Sequence, residues 1–311
     1  MSAVPENRLT LTILSGFLGS GKTTWLRHQL HARVFQNATV LVNEASAAAV
    51  DDALLADLAP VVVIAGGCAC CAKRDEFLEA LAAVCDRRLR EHEPAGCVVL
   101  ETSGLADPGA IVEAIRGHPV LAHHVLVDEV IVTVDAGYGL ANLKSDGLVQ
   151  RQVQGADRII VTKLDDVPSH EIAKLAATLR AVNPGAVLAG AVNGEPLDLP
   201  WYDGVEAEPL LCGEDTRPVI AAELDIGAAF EWAEFSVWLS ALLHARGDDI
   251  YRVKGVVRTP AGRILLQCVQ RSVLQPRLLP GAGEAFDNRL AVIGRGFDEG
   301  RLKRSLRDFY G

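Results

Sequence analysis

The sequence predicts an α/β fold in which a mostly parallel sheet is followed by a smaller α+β domain. Up to residue 192, short β-rich runs alternate with longer helical patterns, as in βαβ units. The runs are predominantly apolar, which is typical of strands covered on both faces. A glycine-rich turn joins the first run to the first helical pattern, and this arrangement favours a nucleotide-binding sheet.

The elements of this first domain follow from composition and periodicity. Apolar, β-prone runs predict strands at 9–14, 38–42, 61–65, 97–101, 130–135, 158–162 and 186–192. Helical periodicity predicts helices near 22–33, 73–92, 109–117, 147–156 and 169–182. Ligands of such sheets bind at the carboxyl ends of the strands, so we expect the functional residues there.

A second domain follows an acidic segment that is rich in glycine and proline. Beyond it, the pattern predicts an α+β unit with a helix near 234–245, strands at 250–258, 263–270 and 289–294, and a helix at 298–309. We therefore expect a nucleotide-binding domain at 1–192, a linker at 193–218 and a C-terminal domain at 219–311.

Bulk properties exclude several classes of function. The 311 residues are 50% hydrophobic, which is enough for a substantial core, and the formal net charge of −10 argues against nucleic-acid binding. No apolar run approaches the roughly 18–20 residues that span a bilayer, and the N-terminus lacks signal-peptide features. Seven cysteines without an export signal indicate reduced thiols. We expect a cytoplasmic protein that binds neither nucleic acid nor membrane.

Residues 16–23 read GFLGSGKT and fit the P-loop pattern G-x-x-x-x-G-K-[ST]. Such a loop directs backbone N–H groups at a phosphate, and the dipole of the following helix also favours an anion. Lys22 is expected to reach the β- and γ-phosphates, and the Thr23 hydroxyl to ligate Mg²⁺. The residues expected to contact the nucleotide are Gly16, Gly19, Ser20, Gly21, Lys22, Thr23 and Thr24.

Residues 162–165 read TKLD directly after a candidate strand, where GTPases carry an [NT]-K-x-D signature. The Asp165 carboxylate would accept hydrogen bonds from guanine N1–H and N2–H₂, which adenine does not offer in that arrangement. The stem of Lys163 would pack along the base. Together with Thr162, these residues predict GTP as the nucleotide; an ordinary exposed turn is the alternative interpretation.

Residues 101–104 read ETSG at the end of another candidate strand. A carboxylate at this place holds Mg²⁺ in P-loop NTPases. We therefore expect Glu101 to hold Mg²⁺ through water and the Gly104 N–H to contact the γ-phosphate. Glu101 joins Lys22 and Thr23 in the predicted catalytic set. A helix N-cap acid is the alternative interpretation.

Three cysteines, Cys68, Cys70 and Cys71, follow two glycines at the end of the third candidate strand. Thiols this close together can converge on one soft or borderline cation, with a fourth ligand from elsewhere. An incomplete site beside a nucleotide pocket suggests an exchangeable metal. Small core residues and a redox dithiol are alternative interpretations of the cluster.

These four motifs closely resemble those of the CobW-like metallochaperone GTPases, and segments 251–255, 265–270 and 292–294 resemble that family's C-terminal domain. The resemblance implies a GTPase that binds Zn²⁺, or next Co²⁺, at the three cysteines and delivers it to a client protein, with a homodimer as one candidate assembly. The family usually carries Asn-Glu-Phe-Gly-Glu after the second strand. Here Glu44 is kept and Ala45-Ser46-Ala47 replaces the rest, so Glu44 stays a candidate metal ligand and one other is lost.

Three functional hypotheses remain open at this stage. The first is GTP-dependent metal delivery, for which we expect slow intrinsic hydrolysis, because no residue identifies itself as the one that orients the attacking water. The second is a GTP-gated protein-interaction switch without a transferable metal, which the altered segment 43–47 favours. The third is an ATP-dependent small-molecule kinase, which Asp165 disfavours.

Overall fold

A large, mostly parallel sheet forms the first part of the molecule. The computed structural model describes residues 8–44, 58–65, 74–91, 96–210, 219–227, 231–247, 249–269, 271–273, 276–279 and 287–309. The sheet has the strand order β3-β2-β4-β1-β5-β6-β7-β8, and only β8 runs antiparallel to its neighbour. Its strands are β1 (Leu9–Gly16), β2 (Thr39–Glu44), β3 (Val61–Ala65), β4 (Cys97–Glu101), β5 (Val125–Asp135), β6 (Arg158–Thr162), β7 (Val187–Val192) and β8 (Glu195–Leu197).

Helices cover both faces of this sheet, as the apolar strands predicted. Along β1, Ile13 packs into the core on one face and Leu14 into the core on the other, because successive side chains of a strand point to opposite faces. In the described part of this domain the helices are α1 (Lys22–His31), α2 (Arg74–Glu91), α3 (Pro108–Gly117), α4 (Leu121–His124), α5 (Gly139–Ser145), α6 (Gly147–Gly155) and α7 (Ser169–Val182).

The second part of the molecule is a smaller antiparallel sheet with its own core. Its path is β12-β11-β10-β14-β9, and β13 pairs with β11. The strands are β9 (Val219–Asp225), β10 (Ile250–Thr259), β11 (Gly262–Val269), β12 (Ser272–Val273), β13 (Arg277–Leu278) and β14 (Arg289–Arg295). Helices α8 (Trp232–Arg246) and α9 (Glu299–Phe309) supply Phe235, Trp238 and Leu302 to the core.

The predicted fold class is confirmed, with additions at the edges of the sheets. The structure adds β8 within the segment predicted as a linker, and β9, which the sequence pattern did not indicate. Strand β5 begins at Val125, earlier than predicted. The predicted domain boundaries stay predictions.

Buried polar contacts join the two sheets. Arg252 of β10 donates to Asp157, which directly precedes β6. Arg295 of β14 donates from Nη2 to Gln150 Oε1 of α6 at 3.2 Å. Because buried polar groups need partners, these contacts specify where the C-terminal sheet rests on α6 and β6.

Candidate nucleotide-binding site

The glycine-rich loop joins β1 to α1 at the carboxyl edge of the sheet. Gly16, Gly19 and Gly21 all have positive φ angles, of 141°, 72° and 84°. At Gly16 an added Cβ would lie 2.4 Å from the Thr133 carbonyl oxygen of β5. Only glycine has both the conformational freedom and the small size that this position requires, so the first glycine of the motif fits the loop against β5.

Lys22, the first residue of α1, folds back over the loop. Its Nζ donates to the carbonyl oxygens of Gly16 at 2.9 Å and Phe17 at 3.1 Å. The first turn of α1 contains no acidic side chain, and a helix N-terminus attracts anions through its free N–H groups and dipole. The ammonium group and the N-terminus of α1 therefore lie at the same loop, where a phosphate would bind both.

The neighbouring strands hold the loop through hydroxyl groups. Ser20 Oγ and Thr133 Oγ1 are 2.7 Å apart, and Thr162 Oγ1 donates to the Ser20 carbonyl oxygen at 2.9 Å. The predicted nucleotide residues Ser20 and Thr162 thus use their hydroxyls to fix the loop, whereas Thr24 lies exposed in the first turn of α1. Thr133 belongs to this arrangement and was missed by the sequence interpretation.

Thr23 and Glu101 meet beside the loop. The Thr23 hydroxyl donates to Glu101 Oε1 at 2.5 Å, and the Glu101 side chain is buried at the end of β4. Strand β4 lies next to β1 in parallel, with Leu14 opposite Glu101. A hydroxyl and a carboxylate are hard oxygen ligands of the kind Mg²⁺ prefers, so this pair fits a magnesium ion.

The TKLD segment supports the loop from the other side. Lys163 adopts a left-handed conformation with φ of 58°, and its Nζ donates to the Gly19 carbonyl oxygen and to Asp135 Oδ2, both at 2.7 Å. Asp165 is exposed in the short 3₁₀ turn Leu164–Asp166 that follows. An exposed carboxylate is free to accept hydrogen bonds from a base without first breaking a buried contact.

Asp135 is a site residue that the sequence interpretation missed. While Oδ2 accepts from Lys163, Oδ1 accepts from the backbone N–H groups of Gly137 at 2.8 Å and Tyr138 at 3.1 Å. The Asp135 side chain therefore has two functions: it stabilises the tight turn that follows β5, and it orients Lys163. A polar residue at the end of predicted strand 130–135 was a signal that could have found it.

Gly104 brings a second loop, residues 102–107, against the P-loop. A Cβ added to Gly104 would lie 2.6 Å from the Leu18 nitrogen and 2.8 Å from Leu18 Cα. Real Cβ atoms essentially never come that close to a backbone atom. Any larger residue would push the two loops apart, so this glycine is needed for close packing.

The strands β2 and β3, which precede the proposed metal ligands in sequence, lie at one side of the same sheet. Strand β3 ends at Ala65, and Cys68, Cys70 and Cys71 follow in sequence but lie outside the described residues. Strand β2 ends at Glu44, whose backbone pairs with Ala65, between β3 and β4. Three strand spacings separate β3 from β1, which corresponds to about 14 Å.

Two of the cysteines in the described part of the chain are buried thiols. Cys85 and Cys268 are buried, and burial is the main cause that raises the pKa of the first to about 11 and of the second to about 12. Among the residues that the structure describes, no three His, Cys, Asp or Glu side chains converge on a possible metal position. The described helices are also too short or too polar to cross a bilayer.

A P-loop, a carboxylate at the end of the adjacent strand and a TKxD segment on a parallel sheet together define a P-loop GTPase site. The family model described as the CobW/HypB/UreG nucleotide-binding domain matches residues 10–189, and that of the cobalamin synthesis protein CobW C-terminal domain matches residues 221–310. The chain therefore belongs to the CobW/HypB/UreG family.

Relatives match over nearly the full chain. The sequence is 30% identical to that of the zinc chaperone YjiA of Escherichia coli, over 96% of this chain and 98% of that protein. It is 31% identical to the zinc chaperone CobW of Pseudomonas aeruginosa, covering 96% and 91%. The crystal structure of Zn(II)-bound YjiA GTPase from E. coli superposes with a TM-score of 0.65 at 24% identity, covering 98% and 100%, which supports the fold.

Proposed function

We propose that this protein is a GTP-binding and GTP-hydrolysing metallochaperone that delivers a divalent metal, zinc before cobalt, to a client protein. The observation that carries the proposal is the convergence of Lys22, the Thr23–Glu101 pair and Lys163 around one glycine-rich loop. Membership of the family, and the name zinc chaperone borne by the relatives YjiA and CobW, support the choice of cargo.

The proposed chemistry assigns a separate task to each group. Lys22 exchanges the carbonyl oxygens of Gly16 and Phe17 for the β- and γ-phosphates of GTP and stabilises the charge between them. Thr23 and Glu101 would hold Mg²⁺, which neutralises phosphate charge when bound. Asp165 selects guanine through two hydrogen bonds. Gly104 presents its N–H to the γ-phosphate.

The metal is the cargo, and Cys68, Cys70 and Cys71 are its proposed ligands, with Glu44 as a further candidate. Thiolates suit zinc, cobalt and ferrous iron alike. The end of β3 lies about 14 Å from the P-loop strand, with β2 and β4 between them. A γ-phosphate that orders the loops at this edge would change the metal site, and the coupling would be reciprocal.

A zinc-binding measurement tests the metal assignment. Equilibrium dialysis of the reduced protein should show one tight zinc site that Cys70→Ala abolishes. Cys97→Ala is the matched control, because Cys97 is a partly buried thiol of β4, and this variant should bind zinc as the original chain does. Equal zinc binding by both variants would contradict the assignment and favour the GTP-gated interaction switch.

Nucleotide competition and single-turnover kinetics test the enzymatic part. GTP and GDP should displace a fluorescent guanine nucleotide, whereas ATP should not. We expect slow hydrolysis by the isolated monomer, accelerated by dimerisation or by the client. Fast hydrolysis by the monomer alone would contradict that expectation.

A further inference from the structure

The loop that contains Gly104 is held from behind by a buried glutamine of α6. Gln152 is fully buried, and its Nε2 donates to the carbonyl oxygens of Ala106 at 2.8 Å and Gly104 at 3.3 Å. Since both partners are carbonyl oxygens, only the amide nitrogen of Gln152 can make these hydrogen bonds. The side chain therefore fixes two backbone groups of one short loop.

The opposite side of Gly104 touches the P-loop. Its Cα faces the Leu18 backbone so closely that no Cβ fits, while its carbonyl oxygen points to Gln152. A cavity of about 340 Å³, lined by Leu18, Gly19 and Gln152 among others, lies beside this contact. Thr102 ties the start of the loop to β1 by donating from its backbone N–H to the Leu14 carbonyl oxygen at 2.9 Å. The hydrogen bonds from Gln152 are a second attachment, at Gly104 and Ala106, the part of the loop that contacts the P-loop.

Helix α6 is a rigid support for this side chain. Asp146 caps its N-terminus by accepting from the Leu148 N–H at 2.8 Å. Asn183 Nδ2 donates to the carbonyl oxygens of Val153 at 2.7 Å and Ala156 at 2.9 Å at the other end. Side chains that satisfy the free groups of helix ends stabilise the helix, so Gln152 stands on a nine-residue element that is fixed at both termini.

The same helix also contacts the C-terminal sheet. Gln150, two residues before Gln152, accepts from Arg295 of β14 at 3.2 Å, and both side chains are buried. Between them, Arg151 donates from Nε to Asp107 Oδ2 at 3.0 Å, at the end of the Gly104 loop. Three successive side chains of α6 thus link the loop to the second domain.

We propose that Gln152 is a positioning residue for GTP hydrolysis that holds loop 102–107 against the P-loop, and that α6 joins this loop to the C-terminal sheet through Gln150 and Arg295. The proposal rests on the proposed GTPase function and names the residue through which the γ-phosphate loop is placed. A GTP-dependent shift of the loop changes the hydrogen bonds that Gln152 makes to it. The resulting movement of α6 changes the contact between Gln150 and Arg295 of β14.

Gln152→Met keeps the length of the side chain and removes the two hydrogen bonds. We expect a 10- to 100-fold lower rate of single-turnover GTP hydrolysis, since small misplacements at a reacting group cost that much. Affinity for GDP, which lacks the γ-phosphate, should stay within about twofold. The rate of GTP hydrolysis should fall by as much in Gln152→Glu, because a carboxylate cannot donate to the two carbonyl oxygens.

Gln154→Met is the matched control. Gln154 belongs to the same helix and is equally buried, but its amide atoms have no hydrogen-bond partner in the part of the chain that the structure describes. The GTP hydrolysis rate and both nucleotide affinities should remain unchanged in this variant. Unchanged hydrolysis in Gln152→Met and Gln152→Glu, or an equal loss of GDP and GTP affinity, would overturn the proposal.

Hydrogen exchange of the unaltered protein tests the link to the second domain without a variant. Replacing GDP by a non-hydrolysable GTP analogue should change amide protection in α6 and in β14. A change confined to the P-loop and residues 102–107 would overturn the link. If the unaltered protein binds no GTP, the proposed function itself fails, whereas normal GTP hydrolysis in Gln152→Met defeats this inference alone.

Discussion

Arg252 of β10 donates to Asp157, which directly precedes β6, and both side chains are almost completely buried between the two sheets. Asp157 Oδ2 also accepts from the Val130 N–H at 2.9 Å, and Lys254 Nζ lies 3.4 Å from Oδ1. One carboxylate thus connects β5, β6 and β10. The C-terminal sheet is thereby anchored to β5 and to β6, the strand that ends at the TKLD segment.

Removing the arginine should destabilise the protein. Among the described residues, Arg252→Met leaves the buried Asp157 carboxylate with Lys254 and the Val130 N–H, and breaking such a buried pair costs about 3 kcal/mol in the free energy of unfolding. Urea denaturation measures this loss. Arg289→Met is the control, since its ion pair with Glu223 is exposed and should contribute less than about 1 kcal/mol. Equal losses for the two variants would contradict the role of the buried pair.

Asp135→Asn should weaken the binding of GDP and GTP alike. The variant keeps the Oδ1 contacts to the turn, but its amide group faces the Lys163 ammonium group, which loses its ion pair. Lys163 then no longer lies firmly across the Gly19 carbonyl oxygen. We expect about a tenfold loss of affinity for both nucleotides, corresponding to about 1.4 kcal/mol. Titration with a fluorescent GDP measures the affinity, and competition by GTP gives the second value. A loss of affinity confined to GTP would contradict a role of Asp135 in positioning Lys163 for both nucleotides.

Asp165→Asn should change which base the protein prefers. The asparagine amide N–H₂ would face the N2 amino group of guanine, which is also a donor, so the affinity for GTP falls. Xanthine carries an oxygen acceptor in place of that amino group, so the affinity for xanthosine triphosphate rises. We expect a preference of at least tenfold for the xanthine nucleotide, measured by competition. Asp166→Asn is the neighbouring control in the same 3₁₀ turn and should leave the GTP preference intact. An unchanged preference in Asp165→Asn would remove Asp165 from the base site.

Native alkylation should separate two classes of cysteine. Burial raises the pKa of Cys85 to about 11 and of Cys268 to about 12, so both stay protonated and unreactive towards iodoacetamide at pH 8, because the thiolate is the nucleophile. We expect Cys68, Cys70 and Cys71 to react without zinc and to be protected by it. Mass spectrometry of the peptides checks both, and zinc-independent labelling of the cluster would contradict a metal site there.

The same raised pKa values set the direction of an alkaline pH effect. A buried thiol binds its proton more tightly in the folded protein than in the unfolded chain. Its contribution to stability is complete below the unfolded thiol pKa near 9 and is lost as the pH rises towards 11 and 12. The free energy of unfolding should therefore decrease as the pH rises above about 9. The decrease should be less steep in Cys268→Ala, which lacks one of the two buried thiols.

The first sheet and its loops could be predicted from local signals. Mostly apolar runs such as 158–162 identify strands because strands buried on both faces are rich in Val, Ile and Leu. Glycines and Lys22 in a fixed spacing identify the phosphate loop, since the geometry of that loop is local. Strand β8 gave no such signal, because a short exposed edge strand has neither an apolar run nor alternation.

The residues missed by sequence interpretation depend on contacts between distant elements. Asp135 orients Lys163 only because β5 and β6 are neighbours in the sheet. The glutamines of α6, Gln150 and Gln152, carry no signal of burial in the sequence, because long amide side chains are mostly exposed. They are buried because α6 lies between the first sheet and the C-terminal sheet, and this packing is decided by the tertiary fold.

If GTP drives metal delivery, the affinity of the protein for zinc differs between its GDP-bound and GTP-bound states. Purified reduced protein is titrated with Zn²⁺ in the presence of GDP and then of a non-hydrolysable GTP analogue, and both titrations are repeated on Cys70→Ala. We expect one tight zinc site whose affinity changes with the nucleotide and which is lost in the variant. Equal zinc affinity in both nucleotide states would contradict it.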